Sequence, residues 1–333
     1  MNPIIAISLG DVNGIGPEVV LKALKKINLD QTIPVIIGSY SVLSTYLRML
    51  EINLPIKPLK RFDSVETGNL YLYESAAGRE IEVNPGQISA EAGDAAMKAV
   101  NLGIQFCLEN KCHALVTAPI SKEAISLAGY EVPGHTEFLA EKTSVKKLMM
   151  ILTSEVLRVG LATIHIPLKK VAGALNSEKL TEQIYIFNDS LIRDFNISNP
   201  KIGILGLNPH AGDGGVIGRE EIEIIEPVVR RVSQNDVRVE GPFAADGYFG
   251  NQQFKNYDAT LAMYHDQGLI PFKLLSFGKG VNFTAGLPII RTSPDHGTGF
   301  NIAGKNVANE GSFLQAWELA VEMAMNRIKQ QSS

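Results

Sequence analysis

The chain has 333 residues, 45% hydrophobic and 20% charged, with a formal net charge of -4. This is the composition of an ordinary globular protein, and the slight acidity excludes the basic footprint of a nucleic-acid binder. The amino terminus lacks the basic region and cleavage site of a signal peptide, and no apolar run is long enough to span a bilayer, so a cytoplasmic protein without membrane attachment is expected.

Residues 4–9 are read as a first buried strand. The turn Gly10-Asp-Val-Asn-Gly-Ile-Gly16 follows, and Pro17 opens a helix with Glu18 at its positive end. Residues 32–38 predict a strand and 41–50 a helix, while 51–86 are more polar and read as an edge region with short strand-like pieces. A helix over 86–109 has an Ala-rich middle. Cys107 and Cys112 fall in or after it; with His113 they match no common zinc spacing, and two thiols make no disulfide framework, so both are read as reduced. Residues 114–119 form a strand entering a turn, Ser121 caps a helix over 122–127, and Pro133-Gly-His-Thr-Glu137 leads into another helix.

Residues 147–152 and 157–165 read as a hairpin across Thr153-Ser-Glu155. Helices over 167–175 and 180–195, a strand over 202–207, and a helix over 219–235 kinked or broken at Pro227 come next. Strands at 237–241, 258–265, 280–284 and 288–292 precede a closing helix over 314–330. Strands alternating with helices argue an α/β fold with a mixed, largely parallel sheet. The length suggests two domains, and the absence of a clean linker suggests that they exchange chain more than once.

Three apolar runs end on imidazoles: Arg158 to His165, Lys201 to His210, and Ala259 to Tyr264 followed by His265 and Asp266. In α/β sheets ligands bind at the carboxyl ends of strands, and three neutral nitrogens with an open position make a catalytic metal site. Three unrelated loop histidines are the plainer alternative. Neither Gly14-Ile-Gly16 nor the loop from Gly212 to Gly218 fits the dinucleotide fingerprint. His135 and Thr136 precede a helix, where backbone amides favour phosphate or carboxylate; Thr136 is equally well read as a simple cap. Lys273 in an apolar setting and Arg291, read as ending an apolar strand, each need a partner or an anionic ligand.

Taken together, Gly10-Asp-Val-Asn-Gly-Ile-Gly-Pro-Glu18, Pro133 to Glu137, Leu207-Asn-Pro-His-Ala-Gly212, Ala262-Met-Tyr-His-Asp-Gln-Gly268, Val281-Asn282 and Ile290-Arg-Thr-Ser-Pro-Asp-His-Gly-Thr298 closely resemble the 4-hydroxythreonine-4-phosphate dehydrogenase family, from near residue 4 to near residue 325. Gly14 to Glu18 and Asp295 to Lys305 also resemble the wider isocitrate and isopropylmalate dehydrogenase group, which binds NAD without a Rossmann fingerprint.

The resemblance implies two α/β/α domains, residues 1–130 with 270–333 and residues 131–269, in a homodimer with the active site in the interdomain cleft at the subunit interface. It implies a divalent metal (zinc, magnesium or cobalt) on His165, His210 and His265, one of them given by the other subunit. It implies substrate contacts from His135, Thr136, Lys273, Asn282 and Arg291, with Asp246, Asp266 and Lys273 in the catalytic set and either aspartate as base. Cofactor contacts, to NAD or NADP, are implied for Gly14, His296, Gly297, Thr298 and Gly304. The sequence departs from the family at Asp11-Val-Asn13, where Pro-Ala commonly follows the acid, and at Gly299-Phe300.

The expected reaction is oxidation of 4-phosphooxy-L-threonine to a β-keto acid that decarboxylates to 3-amino-2-oxopropyl phosphate, in pyridoxine 5'-phosphate (vitamin B6) biosynthesis. Alternatives inside the family are threonate or erythronate 4-phosphate, or a dihydrodiol. Outside it stand a three-histidine metal hydrolase or aldolase and a non-catalytic metal or anion binder.

Overall fold

A computed structural model of the chain describes residues 2–76, 78–132 and 134–332 and divides it into two units, Met1–Lys146 with Leu287–Ser333, and Lys147–Gly286. Pro133, which opens the Pro133-to-Glu137 motif, lies outside the described residues. The first unit begins with β1 (Ile4–Ser8), α1 (Gly16–Leu24), β2 (Ile33–Gly38), α2 (Tyr40–Met49), β3 (Ile56–Pro58), β4 (Leu70–Glu74), α3 (Ala90–Leu108), β5 (Ala114–Thr117), α4 (Lys122–Leu127) and α5 (His135–Thr143). The second holds β6 (Met149–Thr153), β7 (Arg158–Leu161), α6 (Val171–Ala174), α7 (Ser177–Arg193), β8 (Lys201–Leu205), α8 (Glu226–Ser233), β9 (Arg238–Phe243), α9 (Ala245–Gly250), β10 (Ala259–Ala262), α10 (His265–Ser276) and β11 (Val281–Ala285). The chain returns to the first unit with β12 (Arg291–Pro294) and α11 (Gly311–Ser332).

In the first unit the strands run β3-β4-β2-β1-β5-β12, every pairing parallel. β2 and β5 are buried along their whole length, the continuous apolar pattern of strands covered on both faces. Gly10 turns the chain out of β1 with φ +69°; a Cβ there would lie 2.3 Å from the Pro119 carbonyl oxygen, so only glycine fits. Pro17 then sits in the first turn of α1, where its missing N–H leaves no bond unmade. The Ser89 hydroxyl caps α3, accepting from the Ala92 N–H at 3.1 Å, a contact worth about 1 kcal/mol.

In the second unit the order is β11-β6-β7-β10-β8-β9. β11, β6 and β7 are antiparallel neighbours, and β7, β10, β8 and β9 are parallel. Leu152, Val159, Leu161, Leu205, Tyr248, Ala262 and Phe272 share one apolar core beneath the parallel strands.

The elements differ from the sequence reading in places. The chain passes between units at 146/147 and 286/287, later than the divisions at 130/131 and 269/270, because α5 packs on α3 and β11 pairs back onto β6. The segment after His265, to which the sequence reading assigns no element, is a helix, so Lys273 is helical. Gly268, Phe272 and Ser276, spaced four apart, supply its buried face. Arg291 opens its strand instead of closing one, the ladder beginning where Leu115 N–H donates to the Ile290 carbonyl at 2.9 Å. At Pro227 the helix does not break: a π-turn, Glu221–Ile225, runs directly into α8, which takes the proline in its first turn.

Candidate active site

The four adjacent parallel strands β7, β10, β8 and β9 end on one side of their sheet, and the segments that leave them carry His165, His265, His210 and Asp246 in that order. These ends are tied together. Thr163 Oγ1 donates to the Met263 carbonyl at 2.7 Å. Gln267 accepts from Met263 N–H at 2.7 Å through Oε1 and donates to the Gly206 carbonyl at 2.6 Å through Nε2. Gly206 N–H in turn donates to the Phe243 carbonyl at 2.8 Å.

Two of the three imidazoles meet. The His165 and His265 ring centroids are 5.7 Å apart at 45°, close enough for both rings to ligate one cation with bonds near 2 Å. His265 Nδ1 lies 2.7 Å from Asp266 Oδ1, a pairing that fixes the ring and leaves Nε2 for a ligand. His210 does not join them: among the described residues no group of three or more His, Cys, Asp or Glu side chains is spaced for a metal. One chain thus brings together two of the three imidazoles expected.

His210 is exposed and lies in a run of left-handed residues, with φ +53° at His210, +50° at Ala211, +82° at Gly212, +46° at Asp213 and +64° at Gly214. Such backbone costs about 1 kcal/mol or more per non-glycine residue, so something must impose it. Glu221, 1% exposed, anchors the chain just before this run. Its Oε1 accepts from Leu207 N–H at 2.7 Å and Asn208 N–H at 2.8 Å, and its Oε2 accepts from Asn208 Nδ2 at 2.9 Å.

Asp246 is exposed in the first turn of α9, and Lys273 is exposed in the last turn of α10. Asn282 is on β11 opposite Leu152, and its Oδ1 is buried with no hydrogen-bond partner. A buried acceptor left unpaired costs about 1–3 kcal/mol, which a donor on a ligand would recover.

The first unit gathers a second constellation. Arg291 is 2% exposed and donates from Nε and Nη2 to Thr117 Oγ1 at 3.0 and 2.7 Å. Burial pulls its pKa down to about 9. His135, the first residue of α5, is held well below its ordinary value by burial and then by the positive charge of Arg291, so its ring is neutral. Its Nε2 is buried and unpartnered. Thr136 follows in the same helical turn. On β1, Ser8 is in register with Thr117, and its buried hydroxyl also lacks a partner. A guanidinium, a neutral imidazole, hydroxyls and a helix N-terminus form the donor set of an anion cradle.

The residues expected at the cofactor lie on the loop after β12 and the turn before α1. Ile15 N–H donates to the Thr298 carbonyl at 2.8 Å, and a Cβ on Gly14 would stand 2.8 Å from that same oxygen. His296 Nδ1 is 3.0 Å from the Gly297 carbonyl, while its Nε2 is buried without a partner. Gly304, at φ +73°, packs so tightly on Pro85 that a Cβ would approach it to 2.8 Å. A buried ring nitrogen awaiting a partner on a glycine-bent loop fits a nucleotide's polar edge.

Thr117, Glu221 and Gln267 are site residues that the sequence reading missed. Thr117 had a visible signal, a hydroxyl closing the apolar run Ala114-Leu-Val-Thr117. The two others are distinguished only by what they hold.

The family model described as "Pyridoxal phosphate biosynthetic protein PdxA" matches residues 30–320. The 4-hydroxythreonine-4-phosphate dehydrogenase of Prosthecochloris aestuarii is 44% identical over 336 residues, 98% of each chain. A protein of Oceanobacillus iheyensis named "Putative D-threonate 4-phosphate dehydrogenase" is 38% identical, over 97% of this chain and 98% of its own. The crystal structure of 4-hydroxythreonine-4-phosphate dehydrogenase from Klebsiella pneumoniae superposes with a TM-score of 0.86 at 37% identity, covering 97% and 98% of the two chains. Isocitrate dehydrogenase from Methylococcus capsulatus superposes with a TM-score of 0.50 at 14% identity over 99% and 88%, a likeness of fold alone.

Proposed function

The chain belongs to the PdxA family of pyridoxal phosphate biosynthetic proteins, and from that premise we propose that it is a 4-hydroxythreonine-4-phosphate dehydrogenase. The observation that carries this reading is 44% identity, over 98% of both chains, to an enzyme of that name. It is an oxidoreductase that converts the secondary alcohol of 4-phosphooxy-L-threonine to a ketone. The alcohol gives up a hydride and a proton, and the resulting β-keto acid loses carbon dioxide to leave 3-amino-2-oxopropyl phosphate, a step of vitamin B6 biosynthesis.

When bound, a nicotinamide cofactor supplies the hydride acceptor and a divalent cation supplies Lewis acidity. His165 and His265 would hold the cation, and the third nitrogen would come from His210 of a second copy. Asp266 is engaged with His265 Nδ1, which favours Asp246 as the group that receives the hydroxyl proton. Arg291, His135 and Thr136 bind and orient the anionic groups, with Lys273 as a further cation. The unpaired Oδ1 of Asn282 accepts a hydrogen bond from the substrate. Gly14, His296, Gly297, Thr298 and Gly304 line the cofactor's place, for NAD or NADP.

A homodimer follows from the same reading, and exposed apolar side chains support it. Leu168 (71% exposed) follows His165, Val216 (84%) follows His210, and Leu274 (69%) and Phe277 (87%) follow His265. Each segment that leaves a histidine thus exposes a large apolar side chain, which an interface would cover. Among the described residues no helix is long and apolar enough to cross a membrane, and two buried free cysteines suit the reducing cytoplasm.

A second reading has one observation behind it: the relative named for D-threonate 4-phosphate. That substrate carries a hydroxyl where 4-phosphooxy-L-threonine carries an amine, and Asn282 Oδ1 can accept from either. The test assays both compounds with NAD and with NADP, with and without chelator, by absorbance of the reduced cofactor. Faster, chelator-sensitive turnover of the amine supports the proposal. Preference for threonate 4-phosphate replaces it with the second reading, and chelator-resistant turnover removes the cation.

A further inference from the structure

The loop of residues 296–310 is fastened to α1 by a buried ion pair. The Glu18 side chain is 0% exposed, and its Oε1 accepts from Lys22 Nζ at 2.7 Å and from the Ala308 backbone N–H at 2.8 Å. Lys22 Nζ also donates to the Asn306 carbonyl at 3.2 Å and the Ala308 carbonyl at 3.0 Å. One turn further on, Lys26 pairs with Glu310 at 2.5 Å. The loop's near end is held by the Ile15–Thr298 bond, so α1 and the residue before it grip the loop at both ends.

The loop's own backbone hydrogen bonds join residues 299 to 305, from Ile302 to Gly299, Ala303 to Phe300 and Lys305 to Ile302, and the α1 contacts hold the stretch beyond them. Gly299 and Gly304 have positive φ, and Asn306 is left-handed at +58°. Glycine gives up more conformational freedom on ordering than any other residue. A buried ion pair, for its part, is poor evidence of stability, since desolvation offsets the attraction. What this pair does is specific: it directs donors and an acceptor at three main-chain groups of one loop and so sets the loop's shape.

We infer that Glu18 and Lys22 are positioning residues that preorganise this loop for the dinucleotide, so that cofactor affinity depends on them and affinity for the phosphorylated substrate does not. The inference rests on the dehydrogenase reading above. A preorganised site loses affinity when the ordering must be done at binding.

The test compares the wild type with Glu18→Gln/Lys22→Met, which removes the ion pair without leaving a lone buried charge, and with Lys22→Arg, which keeps a cation. Calorimetric titration with NAD and NADP is paired with hydrogen exchange over residues 298–310 and with steady-state kinetics. The double variant should bind the dinucleotide about tenfold more weakly, with a matching rise in its KM. Its kcat and its KM for the phosphorylated substrate should stay within about twofold, exchange at Ala308 should quicken, and Lys22→Arg should retain wild-type affinity. Should the double variant not fold, Glu18→Gln alone, which leaves only the partly exposed Lys22 without its carboxylate, gives the same readout. Wild-type dinucleotide affinity despite faster exchange at Ala308 overturns the inference, as does an equal loss of dinucleotide and substrate affinity. A wild type that binds neither dinucleotide overturns the dehydrogenase reading itself.

Discussion

Arg291 rests both its Nε and its Nη2 on one oxygen, the hydroxyl of Thr117 on the neighbouring strand, at 3.0 and 2.7 Å. A hydroxyl that accepts twice has used both lone pairs, so its own O–H is left to donate. Thr117 therefore aims the guanidinium and can add a donor beside it. Thr117→Val should raise the KM for phosphorylated substrate about tenfold, one charged hydrogen bond's worth, with kcat little changed. Thr117→Ser should restore it. Equal KM values for Val and Ser at this position would contradict the role.

His135 makes a pH prediction. Its folded pKa lies well below the ordinary 6.5, chiefly from burial. Below pH 6.5 the unfolded chain takes up a proton that the folded site resists. The contribution is thus complete above 6.5 and is lost as the pH falls toward the folded value. Thermal midpoints measured from pH 7.5 to 5.5 should fall less steeply for His135→Asn than for the wild type. Parallel curves would mean that the ring titrates normally.

Glu221 should govern metal retention without touching metal. Glu221→Gln removes the charge that anchors Leu207 and Asn208, the residues leading into the left-handed turn of His210. Loss of an outer partner of this kind typically lowers metal affinity by about 10–100-fold. Cobalt titration of the apo-enzyme measures it, and unchanged affinity would show that the turn holds itself.

If His210 completes the site of a second copy, two inactive variants should rescue each other. His210→Ala and His265→Ala, each inactive alone, form one intact site per mixed dimer. Random mixing then restores about a quarter of wild-type activity. No recovery, with mixed dimers confirmed by mass, would place all three ligands in one chain.

The exposed apolar residues after the histidines should be what joins the copies. Leu274→Lys/Phe277→Lys places two charges where apolar contact is expected, and should shift light-scattering mass from dimer toward monomer with loss of activity. A variant that stays dimeric and active would move the interface elsewhere.

The sequence was most legible where a single residue determines its own surroundings. Pro17 sits in the first turn of α1 and Pro227 in that of α8 because a missing N–H acts locally. The fully apolar runs of β2 and β5 announce buried parallel strands. The helix after His265 was hidden because its buried residues at spacing four are mixed with exposed Ile270 and Leu274, which blur an amphipathic stripe. Thr117, Glu221 and Gln267 act through partners distant in the sequence, so pattern alone does not select them. The histidines stood out because each follows an apolar run, but His210 leaves its strand through a left-handed turn that periodicity does not reveal.

His165, His210 and His265 leave the sheet from three different strands. Only the fold can therefore bring these three together, and in the unfolded chain they lie too far apart in sequence to act as one site. A cation held by these residues would act as a thermodynamic keystone, binding the native state alone and adding its own free energy to folding. Chelation would then destabilise the protein as well as silence it, and melting temperature would serve as a gauge of metal supply.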